Sequence, residues 1–395
     1  MNNKIKTLLT HNTEEVIIRT DLEKKLNSEK KLRIKLGCDP SRPDLHLGHS
    51  IVLRKLKEFQ DLGHQVVFII GDYTGMIGDP SGKSKTRPAL SKEEVKKNAE
   101  SYFEQVGKIL NIKKTEIRYN SEWFAKLNFE DILKLLSKFT VARILERDDF
   151  SKRLKSGIDI AVSEMLYPVM QAYDSIMIKA DVEIGGTDQK FNMLAGRDLQ
   201  RKMNLPEQNV LTVPLLVGLD GKEKMSKSLD NYIGIAEEPD SMFGKIMSIS
   251  DEMIFYYFKL LTNISEDELK KIELDLKDSL KNPRDLKVQL AKNIIEIYHN
   301  KKSADEAEEE FNKIFRDKKK PTEIKKRKLE NGNWKLVDLL VELNLADSKG
   351  NARRLVQQGG VRIDYAVQKD FDENIEVKNG MIVQVGKRRF VKIEI

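Results

Sequence analysis

The 395-residue sequence predicts an α/β protein with a parallel β-sheet in its N-terminal half, followed by a helical region and a small α+β unit. Three observations support this prediction. Residues 32–70 follow a strand–helix–strand pattern, residues 240–316 are helical in pattern with few glycines, and residues 334–395 combine helices with short strands. A chain of this length is expected to contain two or three domains.

Hydrophobic periodicity defines the strand–helix–strand pattern. Residues 32–36 alternate in polarity, residues 47–56 carry apolar side chains at helical spacing, and Gln65–Ile70 is the continuous apolar run typical of a buried parallel strand. Asp44 or a neighbour is expected to cap the helix, and Gly63 to end it. A βαβ unit of this kind favours a parallel sheet.

The rest of the N-terminal half is less regular. Helices are predicted at 91–110 and 129–147, a third strand at 176–178 or 182–184, and a fourth in the apolar run 210–217. After residue 239, Lys/Glu pairs recur at the i,i+4 spacing of exposed helices. We therefore predict a first domain of residues 1–235, with an inserted helical segment at about 115–175, and a helical domain of residues 236–316.

The C-terminal region begins with residues 317–333, which are basic and lack apolar periodicity, so they are predicted to form a linker. Beyond the linker we predict a helix at 334–343 and a second helix, capped by Ser348, that runs through Gln357. Short strands are predicted at 361–363, 382–385 and 390–393. Residues 334–395 are thus expected to be a small α+β domain.

The net charge of +7 is concentrated near the C-terminal end. Residues 316–328 hold eight basic and two acidic residues, and residues 334–395 hold eleven basic and nine acidic ones, whereas residues 1–315 are neutral overall. A basic surplus confined to one region suggests a polyanionic partner there. A solvated linker explains the lysine run 318–320 equally well.

Composition also excludes several classes of protein. The single cysteine, Cys38, excludes an intramolecular disulfide, and five histidines with one cysteine argue against a structural zinc site. The first residues lack the apolar core of a signal peptide, and the longest apolar runs, such as 66–70, are far shorter than a membrane span. We expect a cytoplasmic protein without a resident metal or a membrane partner.

A glycine-rich segment, residues 71–84 (GDYTGMIGDPSGKS), follows the Gln65–Ile70 run. It fails as a Walker P-loop, because Gly78 and Gly82 enclose three residues where that motif needs four. A turn at the carboxyl end of a parallel strand is nevertheless where open sheets usually bind ligands. Lys83 and Arg87 follow closely and would suit an anionic ligand.

His46 and His49 stand three residues apart on one face of the predicted helix start. Metal ligation, an ordinary helix surface and hydrogen bonding to a phosphate at the helix N-terminus are all open from these residues alone. Metal ligation is the weakest reading, because no third ligand is nearby. Gly48, between the histidines, would let a nucleotide ring approach the backbone closely.

Residues 224–228 (KMSKS) follow the turn dipeptide formed by Asp220 and Gly221, so we expect them on an exposed loop. Two lysines three residues apart on a mobile loop suit a phosphate clamp that tightens as charge develops on a leaving pyrophosphate. For an isolated pentapeptide, a polar loop without special function is the alternative.

The two segments together are far more specific than either alone. A HxGH segment at 46–49 and KMSKS about 175 residues later, across a predicted α/β sheet, resemble class I aminoacyl-tRNA synthetases, whose catalytic domain is Rossmann-like. Residues 167–174 (YPVMQAYD) and 185–189 (GGTDQ) narrow the resemblance to bacterial tyrosyl-tRNA synthetases. The tail segments 352–361 (ARRLVQQGGV) and 385–391 (VGKRRFV) are similar to an S4-type RNA-binding domain.

The resemblance implies a reaction in two steps. The carboxylate of L-tyrosine attacks the α-phosphate of ATP, and the resulting tyrosyl-adenylate then passes its tyrosine to the 3′-terminal ribose of tRNA(Tyr). Mg²⁺ carried with ATP and a homodimeric assembly are also implied. Since no protein nucleophile is needed, catalysis would rest on positioning and charge stabilisation.

The resemblance also assigns site residues. Those contacting the triphosphate in the transition state would be His46, His49, Lys83, Arg87, Lys224 and Lys227. The other ATP-binding residues would be Ser41, Gly48, Gly186, Asp188, Met225, Ser226 and Ser228. Tyrosine would be bound by Asp39, Asp79, Tyr167, Gln171, Asp174 and Gln189, with Asp174 accepting the phenolic hydrogen bond. RNA would be contacted by Arg353, Arg354, Lys387, Arg388 and Arg389.

Lys35 departs from the pattern of many tyrosyl enzymes. They carry a tyrosine at this place, two residues before the glycine of the first strand, and it pairs with the substrate hydroxyl. Asp72 and Tyr73 are the other candidates for that second hydroxyl contact.

Two other functions are compatible with parts of the sequence. A tryptophanyl synthetase shares the paired motifs, but Gln171, the 185–189 segment and the S4-like tail argue against it. A non-catalytic RNA-binding protein could reuse the fold, but the retained histidine pair and both KMSKS lysines argue against an inactive site.

Overall fold

The computed structural model describes residues 3–40, 44–80, 92–278, 280–315, 325–329, 331–364, 366–386 and 389–395. The chain divides into two compact units, Met1–Glu308 and Glu309–Ile395. The boundary falls inside the helix Lys301–Phe315.

The first unit is built on a six-stranded sheet. Its strands are β1 Glu15–Ile17, β2 Arg33–Cys38, β3 Gln65–Ile70, β4 Thr115–Tyr119, β5 Val182–Gly186 and β6 Asn209–Val213. They lie in the order β1-β6-β5-β2-β3-β4, and every neighbouring pair is parallel except β1–β6. This confirms the predicted α/β class with a parallel sheet.

Helices cover the sheet and form the rest of this unit. They are α1 Asn3–Leu8, α2 Arg19–Leu26, α3 Leu47–Asp61, α4 Thr74–Ile77, α5 Lys92–Gly107, α6 Ser121–Phe124, α7 Phe129–Leu136, α8 Val141–Leu145, α9 Asp148–Lys155, α10 Val162–Met177, α11 Lys190–Lys202, α12 Pro239–Ile246, α13 Ile254–Leu261, α14 Glu266–Lys277, α15 Pro283–Tyr298 and α16 Lys301–Phe315. The predicted helical character of 240–316 is confirmed for its described residues.

The residue that caps the start of α3 is a neighbour of Asp44, one of the two predicted alternatives. His46, and not Asp44, is the N-cap: its backbone is extended, and its side chain accepts a hydrogen bond from the Gly48 backbone N–H. The end agrees with the prediction, because Gly63 adopts a φ of +91° that other residues rarely reach.

One helix prediction in this unit was wrong in detail, and one of the two alternatives for the third strand is confirmed. The helix predicted at 129–147 is interrupted after Leu136, and Thr140 caps a new helix by accepting from the Arg143 backbone N–H. Of the two alternatives for the third strand, 182–184 is correct, and 176–178 lies at the end of α10.

Both faces of the sheet are covered. Val67 and Ile69 of β3 pack against Trp123, Ile178 and Ala180 from the segments around α6 and the end of α10. Helix α3 contacts β3, β5 and β6. Consecutive residues of β3, 66–70, are all buried, and since neighbouring side chains of a strand point to opposite faces, both faces are covered. Burial of such side chains contributes about 1.5–3 kcal/mol each, so the sheet forms a firm base for the loops at its carboxyl edge.

Beyond the end of the helix Lys301–Phe315, the described residues of the second unit form two helices and two sheets. Its elements are β7 Lys325–Lys328, β8 Gly332–Lys335, α17 Leu336–Glu342, α18 Lys349–Gln357, β9 Val361–Ile363, β10 Ala366–Val367, β11 Asn374–Val377, β12 Ile382–Val385 and β13 Arg389–Glu394. A five-stranded sheet has the order β10-β9-β12-β13-β7, and β11 pairs with β8. Ser348 caps α18 as predicted, accepting from the Asn351 backbone N–H.

The second unit departs from the sequence prediction at its start. Strand β7 and the first residues of β8 lie in the segment predicted to be a linker, and Trp334 belongs to β8 where a helix was predicted. β7 pairs in parallel with β13, the last strand of the chain, so its pairing depends on a partner more than sixty residues away. Among the described residues of the chain, no helix is long and apolar enough to span a membrane.

Candidate active site

A cavity of about 550 Å³ opens at the carboxyl ends of β2, β3, β5 and β6. This is where open parallel sheets bind ligands. It lies at the point where the strand order reverses: from β2 the chain continues to β3 and β4 on one side, and later returns to β5 and β6 on the other. The cavity is lined by every predicted ATP-binding or tyrosine-binding residue that the structure describes: Asp39, His46, Gly48, His49, Asp79, Tyr167, Gln171, Asp174, Gly186, Asp188, Gln189 and residues 224–228. Ser41, Lys83 and Arg87 lie outside the described residues.

The histidine pair forms a reciprocal cap at the N-terminus of α3. The His46 Nδ1 accepts from the Gly48 N–H at 3.1 Å, and the His49 Nδ1 accepts from the His46 N–H at 3.2 Å. Because a backbone N–H can only donate, both Nδ1 atoms carry lone pairs, and a neutral ring holds its proton on Nε2. Each histidine therefore has an Nε2–H donor at a helix end that already favours anions.

Burial keeps both imidazoles neutral. It is the main cause that lowers the pKa of His46 well below its usual range and the pKa of His49 to about 3, and the ammonium groups of Lys224 and Lys227 add to the effect. Gly48 has a structural role as well, since a Cβ there would lie 2.9 Å from the His46 ring. The pair is thus held in place before any ligand binds.

Residues 224–228 form a loop that is only partly exposed, which corrects the predicted exposed loop. Met225 and Lys227 are buried, and the Met225 N–H donates to the Leu216 carbonyl at 2.7 Å. Asn231 holds the loop from behind: its Oδ1 accepts from the Ser226 N–H at 2.7 Å, and its Nδ2 donates to Asp220 at 2.6 Å. The loop enters the cavity in a defined conformation.

Lys224 and Asp188 form an ion pair in the lining of the cavity. The Lys224 Nζ lies 2.5 Å from the Asp188 Oδ2. Gly186 precedes this aspartate, and a Cβ there would meet the Asp188 carboxylate at 2.6 Å and Leu215 at 2.8 Å. The GGTDQ segment therefore needs glycine at this position for packing within the site itself.

At the other end of the cavity, Tyr167 and Asp39 are joined. The Tyr167 hydroxyl donates to the Asp39 Oδ2 at 2.8 Å, and the Thr74 hydroxyl donates to the Oδ1 at 2.7 Å. Burial, helped by Asp39, raises the pKa of Tyr167 well above its usual value, so the phenol stays protonated. Nearby, the Gln189 Nε2 donates to the Asp79 Oδ2 at 2.6 Å.

Asp174 is a buried carboxylate in the cavity wall. Its Oδ1 accepts from the Trp123 Nε1–H at 2.9 Å. Burial raises the pKa of Asp174 to about 7, while the charge of Lys35 and the hydrogen bonds from Trp123 and Asn120 oppose this rise. The side chain can thus switch between charged and neutral forms near neutral pH.

Lys35 does not take the place of the missing tyrosine as a partner for a ligand hydroxyl. It is fully buried, and its Nζ lies 2.8 Å from the Glu183 Oε1 and donates to the Gln171 carbonyl and the Ser175 hydroxyl, each at 2.7 Å. The two other candidates also have partners elsewhere. The Asp72 Oδ1 accepts from the Ser121 N–H at 2.8 Å, and the Tyr73 ring packs on Phe124.

Sequence reasoning missed several residues that shape the site: Thr74, Asn120, Trp123, Glu183, Asn192 and Asn231. One signal could have revealed Glu183. Lys35 and Glu183 are charged residues in the middle of otherwise apolar strands, a place where a charge is costly unless paired. The others are common residue types without a local pattern.

The predicted RNA-binding residues lie in the second unit. Arg353 and Arg354 are exposed on α18, with the Arg353 guanidinium 5.5 Å from the centre of the Phe371 ring. Arg389 is exposed at the start of β13 and donates to the Leu345 carbonyl at 2.9 Å. Lys387 and Arg388 lie outside the described residues.

Known families match almost the whole chain. Residues 27–316 match the family described as tRNA synthetases class I (W and Y), and residues 310–393 match the family described as Tyrosine--tRNA ligase SYY-like C-terminal domain. The chain is 50% identical over 386 residues to a tyrosine–tRNA ligase of Thermotoga maritima, covering 98% of this chain and 96% of that protein. It is 51% identical over 391 residues to a tyrosine–tRNA ligase of Dehalococcoides mccartyi, covering 99% and 98%.

Solved structures agree with these matches at the level of the fold. A tyrosyl-tRNA synthetase from Archaeoglobus fulgidus, complexed with L-tyrosine, is 24% identical and gives a TM-score of 0.62, covering 77% of this chain and 98% of that one. A C-terminally truncated mitochondrial tyrosyl-tRNA synthetase from Aspergillus nidulans is 23% identical, with a TM-score of 0.63 and coverage of 78% and 93%. The chain therefore belongs to the class I tRNA synthetases of the W and Y group, among the tyrosine–tRNA ligases.

Proposed function

We propose that the chain activates L-tyrosine with ATP, forming tyrosyl-adenylate and pyrophosphate, and transfers the tyrosine to the 3′ end of tRNA(Tyr). One observation carries this proposal: the same cavity is lined by a buried acid, Asp174, and by groups suited to binding phosphate. Those groups are the histidine pair and the two lysines of the 224–228 loop. A substrate with a phenolic hydroxyl at one end and a carboxylate at the other would join these two regions.

Tyrosine would lie with its hydroxyl on Asp174 and its α-ammonium among Tyr167, Gln171 and Asp79. Phenylalanine would fit the same space but would leave the buried Asp174 carboxylate without that donor. An unpaired buried polar group is costly, and sites built to bond a hydroxyl reject analogues that lack it. Gln189 would lie near the substrate carboxylate, next to its observed partner Asp79.

In the first step the tyrosine carboxylate oxygen bonds to the α-phosphorus, and the bond from that phosphorus to the bridging oxygen of the β-phosphate breaks. Negative charge then grows on the leaving pyrophosphate, where the Nε2–H groups of the histidines and the ammonium groups of Lys224 and Lys227 would stabilise it. Asp188 would hold the adenosine ribose, so ATP binding would exchange the Lys224–Asp188 pair for contacts with the nucleotide.

In the second step a 3′-terminal ribose hydroxyl of tRNA(Tyr) attacks the carbonyl carbon of the adenylate, and AMP leaves. The exposed Arg353, Arg354 and Arg389 of the second unit, together with Lys387 and Arg388, are the proposed RNA contacts. Basic side chains of this kind bind phosphates without reading sequence.

Three further features are proposed with this function. Mg²⁺ would enter as MgATP, because this ion is commonly held largely by substrate phosphates. In the part of the chain that the structure describes, no three acidic, histidine or cysteine side chains come together in a way that could hold a metal ion. The protein would be a homodimer, and it would work in the cytoplasm, where tRNA is charged.

The test is ATP–pyrophosphate exchange measured with each of the twenty amino acids in turn. We expect tyrosine to stimulate exchange and phenylalanine and tryptophan not to, and we expect the same preparation to charge tRNA(Tyr). Stimulation by tryptophan alone would move the chain to the other branch of the family. Absence of exchange with every amino acid would favour the non-catalytic RNA-binding reading.

A further inference from the structure

Beneath the cavity lies a buried ion pair formed by Lys35 and Glu183. The two residues are directly opposite each other on the parallel strands β2 and β5, so both side chains project from the same face of the sheet. Their exposed fractions are 0% and 1%, and the Nζ–Oε1 distance is 2.8 Å. A charge this deep is retained at a substantial cost, because desolvation penalises both groups.

The pair holds the side chain of Gln171 on α10. The Glu183 Oε1 accepts from the Gln171 Nε2 at 3.1 Å, and the Lys35 Nζ donates to the Gln171 backbone carbonyl at 2.7 Å. The other Glu183 oxygen accepts from the Gln208 Nε2 at 2.5 Å. Since an ionised carboxylate only accepts, Gln171 must turn its amide nitrogen toward Glu183.

The opposite side of the Gln171 amide meets Asn192. The Asn192 Nδ2 donates to the Gln171 Oε1 at 3.0 Å, and the Asn192 Oδ1 accepts from the buried Arg147 guanidinium at 3.4 Å. A guanidinium only donates, so the Asn192 amide is also fixed in one orientation. Donation therefore runs in a single direction, from Arg147 through Asn192 and Gln171 to Glu183, with a cation at one end and an anion at the other.

We propose that Glu183, held by Lys35, and Arg147 are positioning residues that fix the Gln171 amide so that its carbonyl oxygen is offered to the α-ammonium of the amino-acid substrate. This inference rests on the proposed function. Asn192 uses one lone pair of that oxygen, and the second can accept from an ammonium N–H.

The direction of the amide matters because its two ends are nearly equal in shape and opposite in hydrogen bonding. A reversed Gln171 would present N–H donors to an ammonium group, which has only donors of its own. The charged ends of the chain of hydrogen bonds exclude that arrangement. This also gives a role to Lys35, whose ammonium is engaged below the cavity floor and does not reach for the substrate hydroxyl.

The test uses Glu183→Gln in the full-length protein. A glutamine can donate or accept, so the direction of donation is no longer imposed at that end. We expect the tyrosine KM in pyrophosphate exchange to rise about 10- to 100-fold, the range of a lost charge-assisted hydrogen bond. The ATP KM should stay within about threefold. The inhibition constant of 3-(4-hydroxyphenyl)propionate, which lacks the ammonium, should also stay within about threefold, since the amide orientation acts on the ammonium alone.

Glu164→Gln is a matched control on α10, the helix that carries Gln171. Glu164 forms a pair with Arg153, at 2.8 Å, that is also buried, and its substitution removes the same charge without touching Gln171. It should leave the ratio of tyrosine KM to inhibitor constant unchanged. A second variant, Asn192→Asp, perturbs the other end: its carboxylate favours the Gln171 nitrogen over the oxygen, and it should raise the same ratio.

The outcomes separate this inference from the proposed function. Wild-type protein without tyrosine-dependent exchange would contradict the function itself. If the wild type uses tyrosine, equal weakening of tyrosine and of the ammonium-free inhibitor in both variants, or no weakening of either, would overturn the positioning role. Circular dichroism establishes that each variant folds, and where Glu183→Gln does not, Asn192→Asp decides.

Discussion

The Asp174 carboxylate combines deep burial with several polar partners. Burial alone would keep it neutral, and Glu183 adds a repulsive charge, whereas Lys35, Trp123 and Asn120 favour the ionised form. The balance leaves its pKa at about 7, far above the usual value for an aspartic acid. A residue proposed to accept the substrate hydroxyl thus titrates in the range in which the protein would be assayed.

We predict that tyrosine binding weakens as the pH falls through 7. The pKa of Asp174 is raised to about 7, so the carboxylate is mostly ionised at pH 8 and mostly protonated at pH 6. A protonated carboxyl has lost most of its strength as an acceptor, so the tyrosine KM should be about tenfold higher at pH 6 than at pH 8. Pyrophosphate exchange at several pH values measures this, with the ATP KM as an internal reference.

Asp174→Asn provides the control for that prediction. The amide does not titrate, so the variant should bind tyrosine about 10- to 100-fold more weakly at pH 8, with a nearly flat pH profile from 6 to 8. If Asp174→Asn keeps the wild-type pH profile, another group causes the pH dependence of tyrosine binding, and the predicted role of Asp174 in it is wrong.

At the scale of single elements, the N-terminus of α3 is the clearest case of one structure serving both stability and chemistry. The two imidazoles close the helix end through their Nδ1 atoms and leave their Nε2–H groups as donors. Both rings are neutral near pH 7. They would therefore act on phosphate as oriented dipoles, and the two lysines of the 224–228 loop would supply the charge.

We predict that His49→Ala lowers the rate of adenylate formation about 100-fold or more while changing tyrosine affinity by less than about threefold. The loss of a preorganised donor to the developing charge has this size. The substitution also removes the acceptor for the His46 N–H, so about 1 kcal/mol of stability should be lost. Single-turnover kinetics, tyrosine titration and thermal unfolding measure the three effects.

His49→Asn separates the two roles of the ring. Asparagine keeps an acceptor suited to a helix cap and a short donor that does not reach as far. It should recover most of the lost stability and only part of the rate. An equal loss of tyrosine affinity and rate in His49→Ala would place the residue elsewhere in the site.

Elements differ in how well their sequences predict them. β3 was predicted with both ends correct, because five consecutive apolar residues, 66–70, lie between a turn glycine and a glycine-rich segment. The break between α7 and α8 was not predicted, because apolar spacing continues across Ser137–Thr140 and only the cap at Thr140 marks a new start. β7 was missed because four basic residues carry no alternation, and its pairing comes from the distant β13.

The candidate site shows the same division. Residues in recognisable segments, such as Tyr167 and Asp188, were predicted from the sequence and line one cavity in the structure. The contacts that orient these residues were not predicted, because such contacts join distant parts of the chain that only the strand order brings together. Lys35 and Glu183 are 148 residues apart, and no local pattern states that β2 and β5 are neighbours.

At the scale of the whole molecule, the surface of the first unit carries an unusual set of exposed apolar side chains. Helices α7–α10 pack around Ile144, Phe150 and Val169 on their inner sides. Their outer sides expose Phe129, Leu133, Val141, Leu154 and Val162, with exposed fractions of 73%, 51%, 62%, 59% and 75%. Several large apolar groups exposed along one run of helices are typical of a surface that another protein covers.

We predict that this surface joins two copies of the chain and that Phe129→Glu combined with Val162→Glu produces a monomer. Burying each side chain would contribute about 1.5–3 kcal/mol to assembly, whereas an unpaired buried charge opposes it. In sedimentation equilibrium the wild type should have twice the chain mass of 45.5 kDa, and the double variant the single mass. Leu274→Glu, at a 67% exposed apolar residue on α14, should leave the mass unchanged. A monomeric wild type would contradict the dimer, and a dimeric double variant would move the interface to another surface.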